Sequence, residues 1–358
     1  MQVLFKTHYD QDIDHLTDRG ERFRIVLAVG LALLAPLVVG SFYLGELSVF
    51  LVYILAGLGL MVLTGFAGQV SFGHSAFLGI GAYGTAILMN MGLSFVVALP
   101  LSGFMSGLAG MALGRAVSRM HGFYLAIATL AFVIIVETVI GAWTPVTGGH
   151  MGLQVPGMDL FGYPVTEAWQ QYYVILAIVL FCIWGVANLR RSPTGRAMIA
   201  ARDSETSAQA LGLDISRTRI LTFFISATLT GLAGGLLGQI LMYLSPETFG
   251  VNESLKLVLM VVVGGLGTIM GAIFGAVFVS ILPNVIHLLR GVLPQAIADT
   301  GGLEQLLFGG IIALFLIFEP EGLYGRWRKL RLFLETYPYY KRATFVRQKR
   351  YLKTERFK

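Results

Sequence analysis

Long apolar runs separated by short polar links dominate the chain from residue 25 onward. They lie near Ile25–Leu44, Leu47–Phe66, Ala76–Met89, Leu93–Leu113, Tyr124–Ile140, Tyr172–Leu189, Ile220–Tyr243, Leu255–Leu282 and Leu303–Phe318. A helix needs about 20 such residues to cross some 30 Å of hydrocarbon. The pattern predicts an all-α polytopic membrane bundle over residues 25–318, with a polar leader at 1–24 and a basic tail at 319–358.

Two of the runs are broken by glycine. Leu255–Leu282 is too long for one ordinary span and carries Gly264, Gly265 and Gly267, so it reads as two short or broken helices and brings the expected count to about ten crossings. Gly65, Gly68 and Gly73 interrupt the chain in the same way, and MVLTGFAGQVSFGHSAFLG from Met61 reads beside MVVVGGLGTIMGAIFG from Met260 as a weak internal repeat. Broken helices in matching positions point to a transport pathway, because unwound backbone at membrane depth survives only inside protein or along a cavity. Glycines used purely for close helix packing are the plainer alternative.

Composition agrees with the pattern. With 56% hydrophobic and 13% charged residues and a mean hydropathy of +0.74, a water-soluble domain is excluded. The single cysteine, Cys182, permits no intrachain disulfide and reads as packed or lipid-facing filler. The leader mixes Lys6, Arg19, Arg22 and Arg24 with Asp10, Asp12, Asp14, Asp18 and Glu21, unlike a cleaved signal. Lysine and arginine collect in the Arg115–Arg119 link, in the island 190–219 and in the tail, while Gly141–Gln171 has neither. By the positive-inside rule both termini and the island are cytoplasmic.

The island itself, RRSPTGRAMIAARDSETSAQALGLDISRTR, has internal design. Ser192 and Pro193 suit an N-cap and first turn, Ser204 suits a second cap with Glu205 in the first turn, and Gly212 supplies a stop. Between them Ala208, Ala210 and Leu211 give a compact helix with a mildly apolar face, flanked by Arg202, Asp203 and Arg217. A solvated loop would explain the arginines alone; the small apolar residues suggest docking into a cleft.

Candidate pathway residues are few. Gln69, Ser71 and His74 lie at the first glycine-rich break, where polar groups face a bundle interior or a wet cavity. His74 reads equally well as a neutral imidazole that satisfies freed backbone groups. Glu137 is the carboxylate deep in the run from Leu125 to Ile140 and reaches toward the outer interface; Thr129 and Thr147 can equally bond their own helices. No metal site is expected.

RSPTGRAMIAARDSETSAQALGLDISRTRILTFFISATLTGLAGGLLG, from Arg191 to Gly238, resembles the coupling loop and following helix of the permeases of branched-chain amino acid ABC importers. Glu205, Ala208 and Gly212 match that family's EAA-like loop, and Ser207 departs from its commoner alanine. The resemblance continues through TGFAGQVSFGHSAFLGIGAY from Thr64, YLAIATLAF from Tyr124, WTPVTGGHMGL from Trp143, LVLMVVVGGLGTIMGAIFGA from Leu257 and FEPEGLYGRWRK from Phe318. The segment after the fifth span is similar to the LivM-type rather than the LivH-type member.

The resemblance implies a bacterial inner-membrane permease that pairs with a LivH-type permease, two ATP-binding cassette subunits and an extracytoplasmic solute-binding protein. It implies docking of Arg196, Arg202, Asp203, Glu205, Ala208, Leu211 and Gly212 on the ATPases, and leucine, isoleucine or valine as solute, with urea, amides and aromatic or aliphatic acids as alternatives. ATP would bind the partners, since this chain has no Gly-Lys pair for a P-loop and is not itself an enzyme. A secondary transporter would want charges at the midplane, and a channel a symmetric filter; neither is visible. The tail, with twelve basic residues from Arg326 to Lys358 among seven aromatics from Trp327 to Tyr351, suits anionic membrane lipids rather than nucleic acid.

Overall fold

The computed structural model describes residues 19–290, 309–310, 313–314, 318 and 322–336. The helices are α1 Arg19–Val38, α2 Ser41–Met61, α3 His74–Asn90, α4 Phe95–Ala116, α5 Phe123–Ala142, the single turn α6 Thr144–Thr147, α7 Ala168–Arg191, α8 Pro193–Asp203, α9 Glu205–Ala210, α10 Ile215–Leu241, α11 Val251–Gly264, α12 Ile269–Arg290 and α13 Gly322–Thr336. The chain is an all-α polytopic membrane protein. Five helices among the described residues, α2 with its continuation to Phe66, α4, α5, α7 and α10, have by themselves the length and apolarity for a crossing. A count near ten would draw on the shorter apolar stretches Ile25–Val38 of α1 and Ile269–Pro283 of α12, on the short helices α3 and α11, and on Leu303–Phe318, most of which lies outside the described residues.

The first helix begins within the polar leader: α1 starts at Arg19, with Glu21 in its first turn, and its apolar part runs from Ile25 to Val38. Residues 1–18 and 337–358 lie outside the described residues. Leu255–Leu282 divides into α11 and α12 around Gly265–Thr268, and the first glycine-rich segment separates α2 from α3 after a π-helical turn, Val62–Phe66.

Burial sorts the helices. The most apolar window of α2 is 72% buried and that of α10 is 67%, against 22% for α5, so α2 and α10 form the centre. Around α10 pack α4, α3 and α2; α7 and α12 lie against α2, and α11 pairs with α12. Close approach makes this possible: a Cβ at Gly81 of α3 would lie 1.9 Å from the Gly231 carbonyl oxygen of α10, and one at Gly234 1.9 Å from that of Leu78. Such backbone contact is how helices gain van der Waals energy where lipid supplies no hydrophobic drive. Cys182 is buried in the same core. Exposed isoleucines and valine on α5, Ile127, Ile134, Ile135 and Val139, leave that helix with an unshielded apolar side.

One end of the bundle, here called the basic end, gathers Arg115, Arg190 and α8–α9. The opposite end is tied by two short antiparallel pairs inside 141–171 and beyond, which an all-helical pattern does not disclose: Leu153–Gln154 with Tyr243–Leu244, and Asp159–Leu160 with Tyr163–Pro164. Asp159 also caps α4, accepting from the Phe95 N–H at 2.9 Å. Burial alone would raise the Asp159 carboxyl, but hydrogen bonds from the Phe95 N–H, the Ser94 hydroxyl and the Gly162 N–H, with a smaller one from its own backbone, together outweigh it and hold it below its ordinary value. The cap is therefore complete at neutral pH and weakens only as acid protonates the carboxylate.

Candidate functional site

The polar island folds as its capping residues dictate. Ser192 accepts from the Gly195 N–H at 3.1 Å, Pro193 opens α8, and Ser204 accepts from the Ser207 N–H at 3.3 Å to start α9. Gly212 ends it at φ +83°, with its N–H on the Gln209 carbonyl at 2.9 Å and the Leu213 N–H on that of Ala208 at 3.0 Å. Nothing crowds a Cβ at Gly212, so the demand is on the backbone alone. Gly212→Val should therefore destabilise this corner by about 1–2 kcal/mol, seen as faster proteolysis of the island while insertion of the chain into membranes is unchanged.

The apolar side of α9 divides in two. Ala208 is buried against Ala201 and Ile215, fixing α9 on α8 and α10, while Leu211 is 81% exposed and projects outward. Glu205 faces the bundle: its carboxylate pairs with Arg219 of α10 and lies 3.4 Å from His121 Nε2. Arg219, with a side chain only 9% exposed, also donates through Nη1 to the Ser118 carbonyl at 2.5 Å. One guanidinium thus joins α9 to the start of α10 and to the α4–α5 link. In the sequence Arg219 is one more basic residue of the island, without a role of its own; its signal is its place directly before the apolar run that starts at Ile220. Arg196 turns back to the Arg191 carbonyl at 2.7 Å.

Arg202 makes the longer connection. Its Nε and Nη2 hold Asp203 Oδ1 at 2.9 and 2.8 Å, and its Nη1 donates to the Gly65 carbonyl at 2.7 Å. At that point the two glycine breaks cross: a Cβ on Gly65 would lie 2.4 Å from Gly267 Cα, and one on Gly68, at φ +68°, would lie 2.6 Å from the Arg202 side chain. Gly264 and Gly265 close α11 beside this crossing, where a Cβ on Gly264 would meet the Gly271 carbonyl at 2.0 Å and Gly265 adopts φ +120°. The matching interruptions in the sequence are thus one joint in space, with the island's arginine seated on it.

Residues 42–316 match the family described as branched-chain amino acid transport system, permease component. The chain belongs to this family. It is 32% identical to the high-affinity branched-chain amino acid transport permease LivM of Escherichia coli K12, over 87% of this chain and 76% of that protein. It is 27% identical to the probable LivH permease of Methanocaldococcus jannaschii, over 74% of this chain and 86% of that one. LivH of Salmonella typhimurium is 26% identical over 76% and 91%. No solved structure matches.

In this permease the first break is held from several sides. His74, fully buried, engages Ser226 of α10 through Nε2 at 2.7 Å and Ser71 through Nδ1 at 3.2 Å. Ser71 accepts from the Gly73 N–H at 3.1 Å, and Thr129 of α5 accepts from the Phe72 N–H at 3.0 Å while donating to its own Ala126 carbonyl at 2.9 Å. Ser71 and Thr129 thus supply the unwound backbone with partners, whereas His74 bonds no freed backbone group and instead ties the Ser71 hydroxyl to that of Ser226. Ser254 at the start of α11 donates to the Phe72 carbonyl, drawing the second broken pair onto the first. Gln69 differs: it is 8% exposed, and its Oε1 is buried with no partner.

The other two candidates stand apart from the joint. Thr147 donates to the Ile140 carbonyl at 2.6 Å and closes the corner after α5. Glu137 borders an open cavity of about 440 Å³ at the opposite end, shared with Ile134, Thr138, Ala142, His150, Pro246 and Glu247. A buried polar group that sequence reasoning misses is Glu253 of α11, which accepts from Tyr53 of α2 at 2.8 Å and lies 3.6 Å from Lys256. Among the described residues no cluster of metal-ligating side chains occurs.

Proposed function

We propose that this permease is one half of the membrane gate of an ABC importer for leucine, isoleucine and valine in a bacterial inner membrane, with both termini cytoplasmic. Its partners are a LivH-type permease, two ATP-binding cassette subunits under α9, and an extracytoplasmic solute-binding protein. The relatives' described transport of branched-chain amino acids supports the solute, and ATP belongs to the partner subunits. The observation that carries the reading is Arg202: it ties the exposed docking segment to the crossing of the two broken helices at Gly65 and Gly267. Displacement of α8–α9 by closing ATPases pulls directly on the joint, while Leu211 offers the outward contact.

Copurification in mild detergent, followed by ATPase assays with leucine, urea and aromatic acids, tests this. Recovery of ATPase subunits with stimulation by leucine and the binding protein is expected; stimulation by urea alone would change the solute, and a chain without ATPase partners would end the importer reading. Gln69 remains the pathway residue best supported, because its buried acceptor lacks a partner. Gln69→Leu removes that unsatisfied group and should leave stability unchanged or raised, yet cut uptake by about fivefold, as a contact of roughly 1 kcal/mol would. Unchanged uptake in proteoliposomes would remove Gln69 from the pathway.

A further inference from the structure

The α13 helix, Gly322–Thr336, takes no part in the coupling described above. Its first residue is wedged on the second glycine break: a Cβ on Gly322 would lie 2.7 Å from Gly265 Cα and 2.8 Å from the Val263 carbonyl oxygen. Apolar residues then recur at 323, 327 and 330, the spacing of one helix face. Leu323 at the near end packs on the core, and Trp327 lies against Phe274 of α12 with ring centroids 6.2 Å apart. Farther along, the same stripe loses its protein cover, with Trp327 46% and Leu330 50% exposed. Arg326 and Arg331 flank it, and Arg328 and Lys329 follow on the remaining surface.

A stripe that begins on a membrane bundle and continues uncovered, edged by cations, is suited to lie in the interface of an anionic leaflet. Tryptophan settles at headgroup depth there, and each nearby arginine or lysine adds attraction to acidic headgroups. The α13 helix starts at the glycine joint, so whatever holds α13 also constrains Gly265. We propose that α13 is an anionic-lipid-binding helix that sets the resting position of the second glycine break, making transport sensitive to acidic phospholipid and to salt. This rests on the reading of the glycine joint as the gate, and adds the bilayer surface as a regulatory partner.

The test uses the whole transporter in vesicles of phosphatidylcholine alone or with a third phosphatidylglycerol, at low and high salt. Leucine uptake and ATPase rate are read for the wild type and for a chain carrying Arg326→Gln, Arg328→Gln, Lys329→Gln and Arg331→Gln. Phosphatidylglycerol should change the wild-type rate by about five- to tenfold, with the effect erased by salt because the attraction is screened; the variant should assemble with its ATPases but lose both dependences. Trp327→Ser, which weakens insertion without touching charge, should shift the phosphatidylglycerol requirement upward. Equal wild-type rates in both vesicles would overturn the proposal, as would loss of the ATPases from the variant in detergent, which would assign α13 to a protein partner. Absence of leucine uptake in every vesicle would instead count against the importer reading.

Discussion

A Gly65→Val chain should reach the membrane and retain its helices, yet lose nearly all transport. The added Cβ would lie 2.4 Å from Gly267 Cα and 2.6 Å from Gly267 N, both backbone atoms that no rotamer change can move. Forcing extra carbon into a packed site costs about 1–3 kcal/mol where side chains can yield, and here the only relief is to part the two breaks. Parting them withdraws the Gly65 carbonyl from Arg202, so the joint loses its own contact and its link to the island together. Uptake should fall by at least about tenfold, the equivalent of some 1.4 kcal/mol, while ATPase partners still copurify because α9 is untouched. The control is Gly212→Ala, where nothing lies within 4 Å of the new Cβ and the strain is confined to φ. Full uptake by Gly65→Val would mean that the breaks need not touch.

Much of the architecture was legible because it follows from local rules. Apolar run length located α2, α4, α5, α7 and α10, and capping chemistry located α8 and α9, since Ser192, Ser204 and Gly212 act on neighbours within a few residues. Paired glycine interruptions pointed to two breaks, although close helix packing is the other use of such glycines, as at Gly81 and Gly234. What could not be read was which distant groups meet. Nothing local says that Gly65 touches Gly267, that Arg202 reaches Gly65, or that Tyr53 reaches Glu253 across two hundred residues. The bracing of the first break by Thr129 and Ser226 is likewise tertiary, and it turns two hydroxyls that look like routine helix bonding into partners for unwound backbone and an imidazole. The short β pairs at the far end escaped because two-residue strands leave no periodic trace.

Glu205→Lys should uncouple ATP hydrolysis from uptake by a different route. In the wild type the half-exposed Glu205 carboxylate pairs with Arg219, whose side chain is 9% exposed and also holds the Ser118 carbonyl. A lysine there sets two cations against each other beside His121, and the buried guanidinium is left without its counter-charge. Leaving a buried charge unpaired costs about 3–5 kcal/mol; solvent around the exposed half of residue 205 reduces this to roughly 2 kcal/mol. That is enough to loosen α9 from Arg219 of α10 while Ala208, buried against Ala201, keeps it on α8. ATPase subunits should still dock and hydrolyse ATP, but leucine-stimulated turnover and uptake should drop by about tenfold or more. Adding Arg219→Glu restores the pair in reverse and should recover part of the coupling, though a glutamate cannot donate to the Ser118 carbonyl. Recovery in the double variant beyond the sum of the two single effects measures the pair itself. Normal uptake by a fully assembled Glu205→Lys complex would show that force enters the membrane helices elsewhere, with Arg202 at the glycine joint the next connection to test.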